Sequence, residues 1–153
     1  MLPKLLRATL NTDVTTLATA IGHTAFRVAV GLMIFYIHGW HKLAGWIAHL
    51  QHGTPWQLAE EIAEMHIPAP VTAALAATLV QFFCSLGVVA GCLTRINSAL
   101  LVGVLGGAIL QNVLGGRDPQ LAILYTLIVA ALALMGGGRF SLDAKLYNPK
   151  ADS

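Results

Sequence analysis

The sequence predicts an all-α membrane protein, a four-transmembrane-helix bundle with a short interfacial helix in its first outer loop. Of its 153 residues, 56% are hydrophobic and 10% are charged, and the mean hydropathy is +0.70. A soluble domain of this size could not bury so much apolar surface. The apolar residues fall into four stretches with only one long connection. We therefore expect one membrane domain over residues 17–146, between a cytoplasmic N-terminal segment (1–16) and a cytoplasmic tail (147–153).

The first predicted span covers residues 17–38, because a hydrocarbon core about 30 Å thick needs roughly 20 apolar helical residues. Arg27 lies near its middle and, on a helix, shares a face with Gly31, His38 and Lys42. A charge inside the membrane either finds a partner or snorkels to the surface. None of the seven carboxylates falls in a predicted span. An inward Arg27 should therefore meet side-chain amides, backbone carbonyls, water, a bound anion or another subunit.

The long connection after this span carries the signs of a short helix. Thr54, Pro55 and Gln57 read as an N-cap, a helix-starting proline and a capping-box glutamine. The apolar positions that follow fall on one face and the polar positions on the other: Trp56, Ala59, Ile62, Ala63 and His66 against Gln57, Glu60, Glu61 and Glu64. This pattern is typical of a helix that lies on a membrane surface.

The other three spans are predicted over residues 69–93, 96–114 and 121–135. Their short connections leave room only for tight antiparallel helical hairpins. Glycines recur at four-residue spacing within two of these spans, as Gly87 with Gly91 and as Gly103 with Gly107. Such pairs let helix backbones approach closely, and packing within the monomer explains them better than a dedicated dimer face.

The basic residues predict the orientation. With both ends on one side, that side collects Lys4, Arg7, Arg95, Arg139, Lys145 and Lys150, against Lys42 and Arg117 on the other. By the positive-inside rule the first side is cytoplasmic, so the loop at His49 and the turn at Arg117 should lie outside. The basic residues form no run that could hold a phosphate backbone, which excludes nucleic acid as a partner. Membrane lipid is the expected surrounding.

No motif for self-sufficient catalysis is present. The sequence lacks GxSxG, Walker, HExxH and GxGxxG patterns, and it has neither a CxxCH site for covalent haem nor an iron-sulfur motif. Its two cysteines, Cys84 and Cys92, lie eight residues apart in one span. On a helix that is about 12 Å, which is beyond disulfide reach.

Three predicted helix ends each carry a short motif: HGWHKLAG at residues 38–45, GCLTR at 91–95 and GGGRFSLD at 136–143. In this order and spacing, over roughly residues 20–146, the sequence resembles the DoxX/DoxD-like family of small bacterial inner-membrane proteins. The resemblance implies four membrane helices in the bacterial inner membrane, in a family that includes a membrane subunit of a thiosulfate:quinone oxidoreductase. The sequence departs from the family pattern at Gln81, Gln120 and Gly137, where relatives carry an acidic residue, a glutamate and a proline.

These observations predict a membrane subunit of a redox assembly with a pocket for a quinone headgroup or a small anion. The candidate cofactor-binding residues are Arg27, His38, His41, Lys42 and Gln81. Guanidinium and ammonium groups attract anions and carbonyl oxygens, and histidine exchanges protons near neutral pH. No catalytic residue is assigned, and the cofactor itself is not identified beyond a quinone.

Two alternative functions remain open. One is a non-catalytic scaffold or assembly protein, whose outer helix docks a periplasmic or membrane partner. The other is a small-molecule transporter, which four short helices could form only as an oligomer. Other protein subunits or a homo-oligomer are therefore expected partners. The outer histidines also raise a zinc or copper hypothesis, although HxxH alone is a weak signal and no metal ligand is assigned. They are His38, His41, His49, His52 and His66.

Overall fold

The computed structural model describes residues 16–147, and every regular element within them is a helix. The elements are α1 (Leu17–Met33), a π-helical segment (Ile34–Trp40), α2 (His41–His52), α3 (Gln57–Glu64), α4 (Pro70–Ala90), α5 (Thr94–Leu114), α6 (Gln120–Met135) and α7 (Leu142–Tyr147). Lys4, Arg7 and Lys150, which contributed to the predicted orientation, lie outside the described residues.

Three helices are long and apolar enough to cross a membrane: Leu17–His52, Pro70–Ala90 and Thr94–Leu114. Helix α6 is also apolar but has only 16 residues. The predicted boundaries of the last three spans agree with the structure to within a few residues. The predicted end of the first span at residue 38 is wrong, because the helix continues to His52. It ends where Gly53 adopts a left-handed conformation with φ of 63°, as glycine does at helix C-termini.

Helix α4 lies at the centre of the bundle, in contact with α1, the π segment, α3 and α5, while α6 packs along α5. The shared core is apolar and includes Val30, Ile34, Val88, Leu101, Leu105, Val129 and Leu132. Glycine permits a close approach in the bundle, since a Cβ added at Gly39 would lie 3.1 Å from the Cα of Phe82. The π segment and α4 therefore meet backbone to backbone.

A short helix follows the first long helix, as predicted, but its start and its faces differ from the prediction. Trp56, not Thr54, is the N-cap residue, and Gln57 Nε2 donates to Glu61 Oε1 at 3.0 Å instead of capping the backbone. The buried positions are Trp56, Leu58, Ala59 and Ile62, whereas Ala63 and His66 are exposed. This face packs against Ala74 of α4 and Trp46 of α2. Protein therefore covers the apolar face that the sequence assigned to the membrane surface.

The two glycine pairs noted in the sequence have different surroundings in the structure. A Cβ at Gly87 would collide with the side chain of Asn97, and one at Gly91 would lie 2.8 Å from Arg27 Nη1, so this pair serves packing within the monomer. A Cβ added at Gly103 or Gly107 would meet no atom of residues 16–147 within 4 Å, so both of these glycines face outward. Cys84 and Cys92 are both free thiols, as the spacing predicted.

Candidate functional site

A cavity of about 320 Å³ opens between the first long helix, α4, α5 and α6. We call it the polar cavity. Its polar lining residues are His38, Lys42, Glu61, Gln81, Gln111, Asn112, Arg117, Asp118 and Tyr125. The apolar remainder of the wall is formed by Leu105, Ala108, Leu121 and Ala122. Three residues predicted from the sequence, His38, Lys42 and Gln81, therefore line one space.

The π segment places His38 in the cavity wall. A π turn carries an extra residue relative to an α turn, and such turns are frequent at functional sites. The neighbouring Gly39 lets the segment press against α4 at Phe82. The imidazole of His38 meets the ring of Tyr125 edge-on, with ring centroids 5.4 Å apart. Its Nε2 is buried and has no hydrogen-bond partner within residues 16–147.

Gln81 of α4 faces the same cavity and is 1% exposed. Its Oε1 also lacks a hydrogen-bond partner in the described part of the chain. Leaving one such group unpaired costs about 1–3 kcal/mol, so buried polar groups are normally satisfied. Two unpaired polar atoms on the wall of one cavity indicate a site that is built to receive a polar ligand or water.

Lys42, one helical turn beyond His38, supplies a positive charge to the cavity. Within residues 16–147 the only ion pair joins Arg117 Nη1 to Glu61 Oε1 at 2.8 Å. Lys42 therefore lines the cavity with no carboxylate of these residues bonded to it, and its ammonium group is free to donate.

Glu61 connects α3 to the rest of the bundle. It accepts hydrogen bonds from Arg117 at 2.8 Å, from Gln57 at 3.0 Å and from Nε2 of Gln111. Burial raises the pKa of Glu61, but these donors and the charge of Arg117 outweigh it and hold the pKa below its usual value. Glu61, Gln111 and Arg117 also line a second cavity of about 260 Å³ beneath His66. The three side chains thus form the wall between the two cavities.

Arg27 lies apart from this site, at the opposite end of the bundle. It is 2% exposed, and its Nη1 donates to the carbonyls of Val88 at 2.5 Å and Val89 at 2.6 Å. Its Nη2 donates to the carbonyl of Phe140 at 3.0 Å. The expectation of an inward side chain that meets backbone carbonyls is therefore correct. The expectation that Arg27 shares a pocket with His38 and Lys42 is not, because the helix carries the two groups to different ends.

Asp143 completes a polar cluster beside Arg27. Its carboxylate accepts from the backbone N–H of Leu93 at 2.6 Å, the N–H of Thr94 at 2.9 Å and the Thr94 hydroxyl at 2.7 Å. Burial raises the pKa of Asp143, but these hydrogen bonds and the charge of Arg27 lower it below the usual range. We call Arg27, Asp143 and their partners the Arg27 clamp. The motifs at residues 91–95 and 136–143 meet here.

His41 does not join the polar cavity, since it is exposed on the outside of the helix. The histidines that suggested a metal site also point in different directions. His49 Nδ1 bonds to the Thr54 carbonyl at 2.7 Å and its ring stacks on Trp46. Nowhere in residues 16–147 do three His, Cys, Asp or Glu side chains come close enough to hold a metal ion.

Sequence reasoning missed six of the nine polar residues of the cavity wall, and their signals differ. Gln111 and Asn112 are side-chain amides near the end of an apolar span, and their polarity is a usable signal. Tyr125 is a polar residue inside an apolar span, which is a usable signal. Glu61 was assigned to the solvent face of the outer helix, and nothing local marks it as the residue that turns inward. Arg117 and Asp118 read as ordinary turn residues. Only the packing of α3 over the turn at residues 115–119 brings these groups together.

Comparison with known proteins identifies one family. The DoxX family model matches residues 22–113, which include the π segment, α3, α4 and nearly all of α5. Neither the curated proteins nor the solved structures give a significant match. The family match covers more than half of the chain and agrees with the resemblance carried by the motifs. The chain is a membrane protein of the DoxX family.

Proposed function

We propose that this protein is a membrane subunit of a redox assembly and that its polar cavity holds the headgroup of a quinone. One observation carries the proposal: His38 Nε2 and Gln81 Oε1, both buried and unpaired within residues 16–147, line one cavity with Lys42, whose ammonium is bonded to no carboxylate of these residues. Two-electron quinone reduction consumes two protons and turns carbonyl acceptors into hydroxyl donors. A site for this chemistry needs groups that serve both forms.

The lining residues supply those groups. Lys42 donates to a carbonyl oxygen, and Gln81 Oε1 accepts from a hydroxyl. His38 Nε2 does either, depending on its tautomer, and imidazole exchanges protons in the neutral range. Tyr125 and the apolar wall formed by Leu105 and Leu121 give a ring-shaped headgroup a surface to pack on.

The charge balance favours a quinone over a small anion. The cavity is lined by two basic residues, Lys42 and Arg117, and by two acidic residues, Glu61 and Asp118, so its formal charge sums to zero. A neutral ligand with carbonyl oxygens suits such a lining better than an oxyanion, which would meet both carboxylates. The small anion is therefore the second candidate for the same cavity.

The scaffold function has less support. It relied on the outer helix as a docking surface, and the apolar face of α3 is packed against α2 and α4. The quinone site remains the proposal, with another protein subunit as the electron donor or acceptor, because the sequence has no motif for a redox centre of its own.

The proposal includes four spans in the bacterial inner membrane, with both termini cytoplasmic. Helix α6 serves as the fourth span, although its 16 residues reach only about 24 Å against a hydrocarbon core of about 30 Å. Its support is its packing along α5. The orientation is supported by Arg95, Arg139 and Lys145 at one end of the bundle against Lys42 and Arg117 at the other.

The test is quinone binding by purified protein in lipid nanodiscs, with short-chain benzoquinone and naphthoquinone as probes. We expect saturable binding of at least one probe, and a roughly tenfold loss of affinity in His38→Ala, as the removal of one buried hydrogen-bonding group produces. The matched control is His41→Ala, three residues along the same helix but outside the cavity. Absence of saturable binding by the parent protein, or equal losses in the two variants, would contradict the proposal.

A further inference from the structure

A third and larger recess lies at the other end of the bundle. It has a volume of about 980 Å³ and lies between the start of α5, the end of α6, the turn at residues 136–139 and α7. Its apolar lining includes Ile96, Met135 and Leu146, which are 57%, 52% and 74% exposed. We call it the Arg95 groove. It shares no lining residue with the polar cavity, so a ligand in the groove is independent of quinone binding.

Two arginines line this groove. The Arg95 side chain folds over the turn that carries Arg139, since a Cβ added at Gly136 would lie 3.1 Å from Arg95 Nε. Within residues 16–147 neither arginine has an ion-pair partner. The one acidic residue of the groove lining, Asp143, is already bonded to Leu93 and Thr94. In the described part of the chain, two cations thus converge without an anion to pair with them.

The ends of two helices define the position of the groove along the bundle. Thr94 begins α5, one of the helices long and apolar enough to span a membrane, and Met135 ends α6. With the four-span topology of the proposed function, on which this step rests, both helix ends lie at the boundary between hydrocarbon and headgroups. A ligand that fits must therefore be amphiphilic, with an apolar chain for Ile96 and Met135 and an anionic group for the two arginines.

We propose that the Arg95 groove binds an acidic phospholipid of the adjacent leaflet. Its phosphodiester accepts hydrogen bonds from Arg95 and Arg139, whose planar guanidinium groups suit phosphate oxygens. One acyl chain lies over Ile96 and Met135. A zwitterionic phospholipid carries its own cation beside the phosphate and gains less from two arginines. The groove therefore selects phosphatidylglycerol over phosphatidylcholine.

Native mass spectrometry of the full chain tests this, with the protein released from nanodiscs of equal parts phosphatidylglycerol and phosphatidylcholine. The parent protein should retain phosphatidylglycerol preferentially. The double variant Arg95→Gln with Arg139→Gln should retain about fivefold less, and each single variant should lose a smaller share. The matched control is Lys145→Gln, a basic residue of α7 outside the groove lining, which should retain as much as the parent.

Several outcomes would overturn the assignment. Retention that is unchanged in the double variant, or that falls equally in the Lys145 control, would show that the groove is not the lipid site. Displacement of the lipid by inorganic phosphate alone would make it a site for a free anion. Dimers that become monomers in the double variant would make it an interface between two copies of this chain. Circular dichroism of each variant establishes that it is folded before retention is compared.

Discussion

Arg27 shows how a guanidinium is accommodated inside an apolar bundle. Its carbonyl partners at Val88 and Val89 belong to the last turn of α4, where helix carbonyls run short of backbone donors. The Val88 carbonyl also accepts from the Gly91 N–H at 3.1 Å. A cation at a helix C-terminus is also favoured by the helix dipole. The third partner, Phe140, ties the turn before α7 to the same side chain. Arg27 thus caps one helix and holds another segment, which explains its burial without a ligand.

Arg27→Lys should lower the stability of the protein by roughly 2–4 kcal/mol, because an ammonium cannot reach three carbonyls on two segments with the geometry of a planar fork. Arg27→Leu should destabilise it similarly, since it removes the side-chain donor to the carbonyls of Val89 and Phe140. Quinone affinity should stay at the parent value in any variant that folds. Thermal unfolding in detergent and probe binding measure the two effects. The control Lys145→Arg, at an exposed position outside both sites, should leave the unfolding temperature unchanged.

Substitution of Gln81 should have effects opposite to substitution of Arg27, because it should change quinone binding and not stability. Its carbonyl oxygen is buried and unpaired within the described residues, so Gln81→Leu should leave stability unchanged or raise it by about 1 kcal/mol. The same change should weaken quinone binding several-fold, because the acceptor for a hydroxyl is gone. Thr78→Val on the same helix is the control, since the Thr78 hydroxyl bonds to its own helix at Ala74. A loss of stability without a loss of binding would show that Gln81 is structural.

Among the elements, α3 depends strongly on its tertiary contacts. It has eight residues, too few to be stable as an isolated helix in water. Its position rests on the packing of Trp56 and Ile62 and on the bonds that Glu61 makes to Gln111 and Arg117. The Glu61 side chain is 19% exposed and that of Arg117 is 45% exposed. Water therefore screens the pair, and its contribution is on the order of 1 kcal/mol or less.

Acid should loosen α3. The folded-state pKa of Glu61 lies below its ordinary value, so the ionised side chain stabilises the folded position of α3. This stabilisation is present above the unfolded-state pKa of about 4.3 and is lost as the pH falls through the folded-state pKa. Hydrogen exchange of the α3 amides should accelerate over that range, and Glu61→Gln should make exchange faster at pH 7. A local measurement is needed because Asp143, whose pKa is also lowered, affects global stability in the same range. Glu60→Gln, on the exposed side of α3, should leave the exchange rates of the α3 amides unchanged. Equal effects of the two substitutions would contradict the role of Glu61.

At the scale of the whole molecule, the orientation can be tested with single cysteines in a background of Cys84→Ala and Cys92→Ala. His52→Cys at the end of α2 should react with an impermeant maleimide in intact cells. Lys145→Cys in α7 should react only after the membrane is permeabilised, because we propose that the basic end of the bundle faces the cytoplasm. Labelling of residue 145 but not of residue 52 in intact cells would reverse the orientation.

The two ends of the bundle hold different chemistry. The end with the polar cavity collects titratable side chains on four elements, whereas the other end holds the Arg27 clamp and the Arg95 groove. The motifs that carry the family resemblance divide in the same way. Residues 38–45 contribute to the cavity, and residues 91–95 and 136–143 build the clamp. The helical pattern of the sequence grouped Arg27 with the cavity residues, because one inward helix face connects both ends.

The sequence by itself determined the apolar helices, the turns between them and the spacing that keeps Cys84 and Cys92 too far apart for a disulfide. These follow from hydropathy, spacing and glycine, which act over a few residues. Only the tertiary structure decided that Asp143 caps α5 across 49 residues and that Arg27 reaches Phe140 across 113. It also decided that Glu61 turns inward and that His38 and Gln81 line one cavity. Those contacts depend on which helices are neighbours and how each is rotated about its axis, and no local pattern records that information.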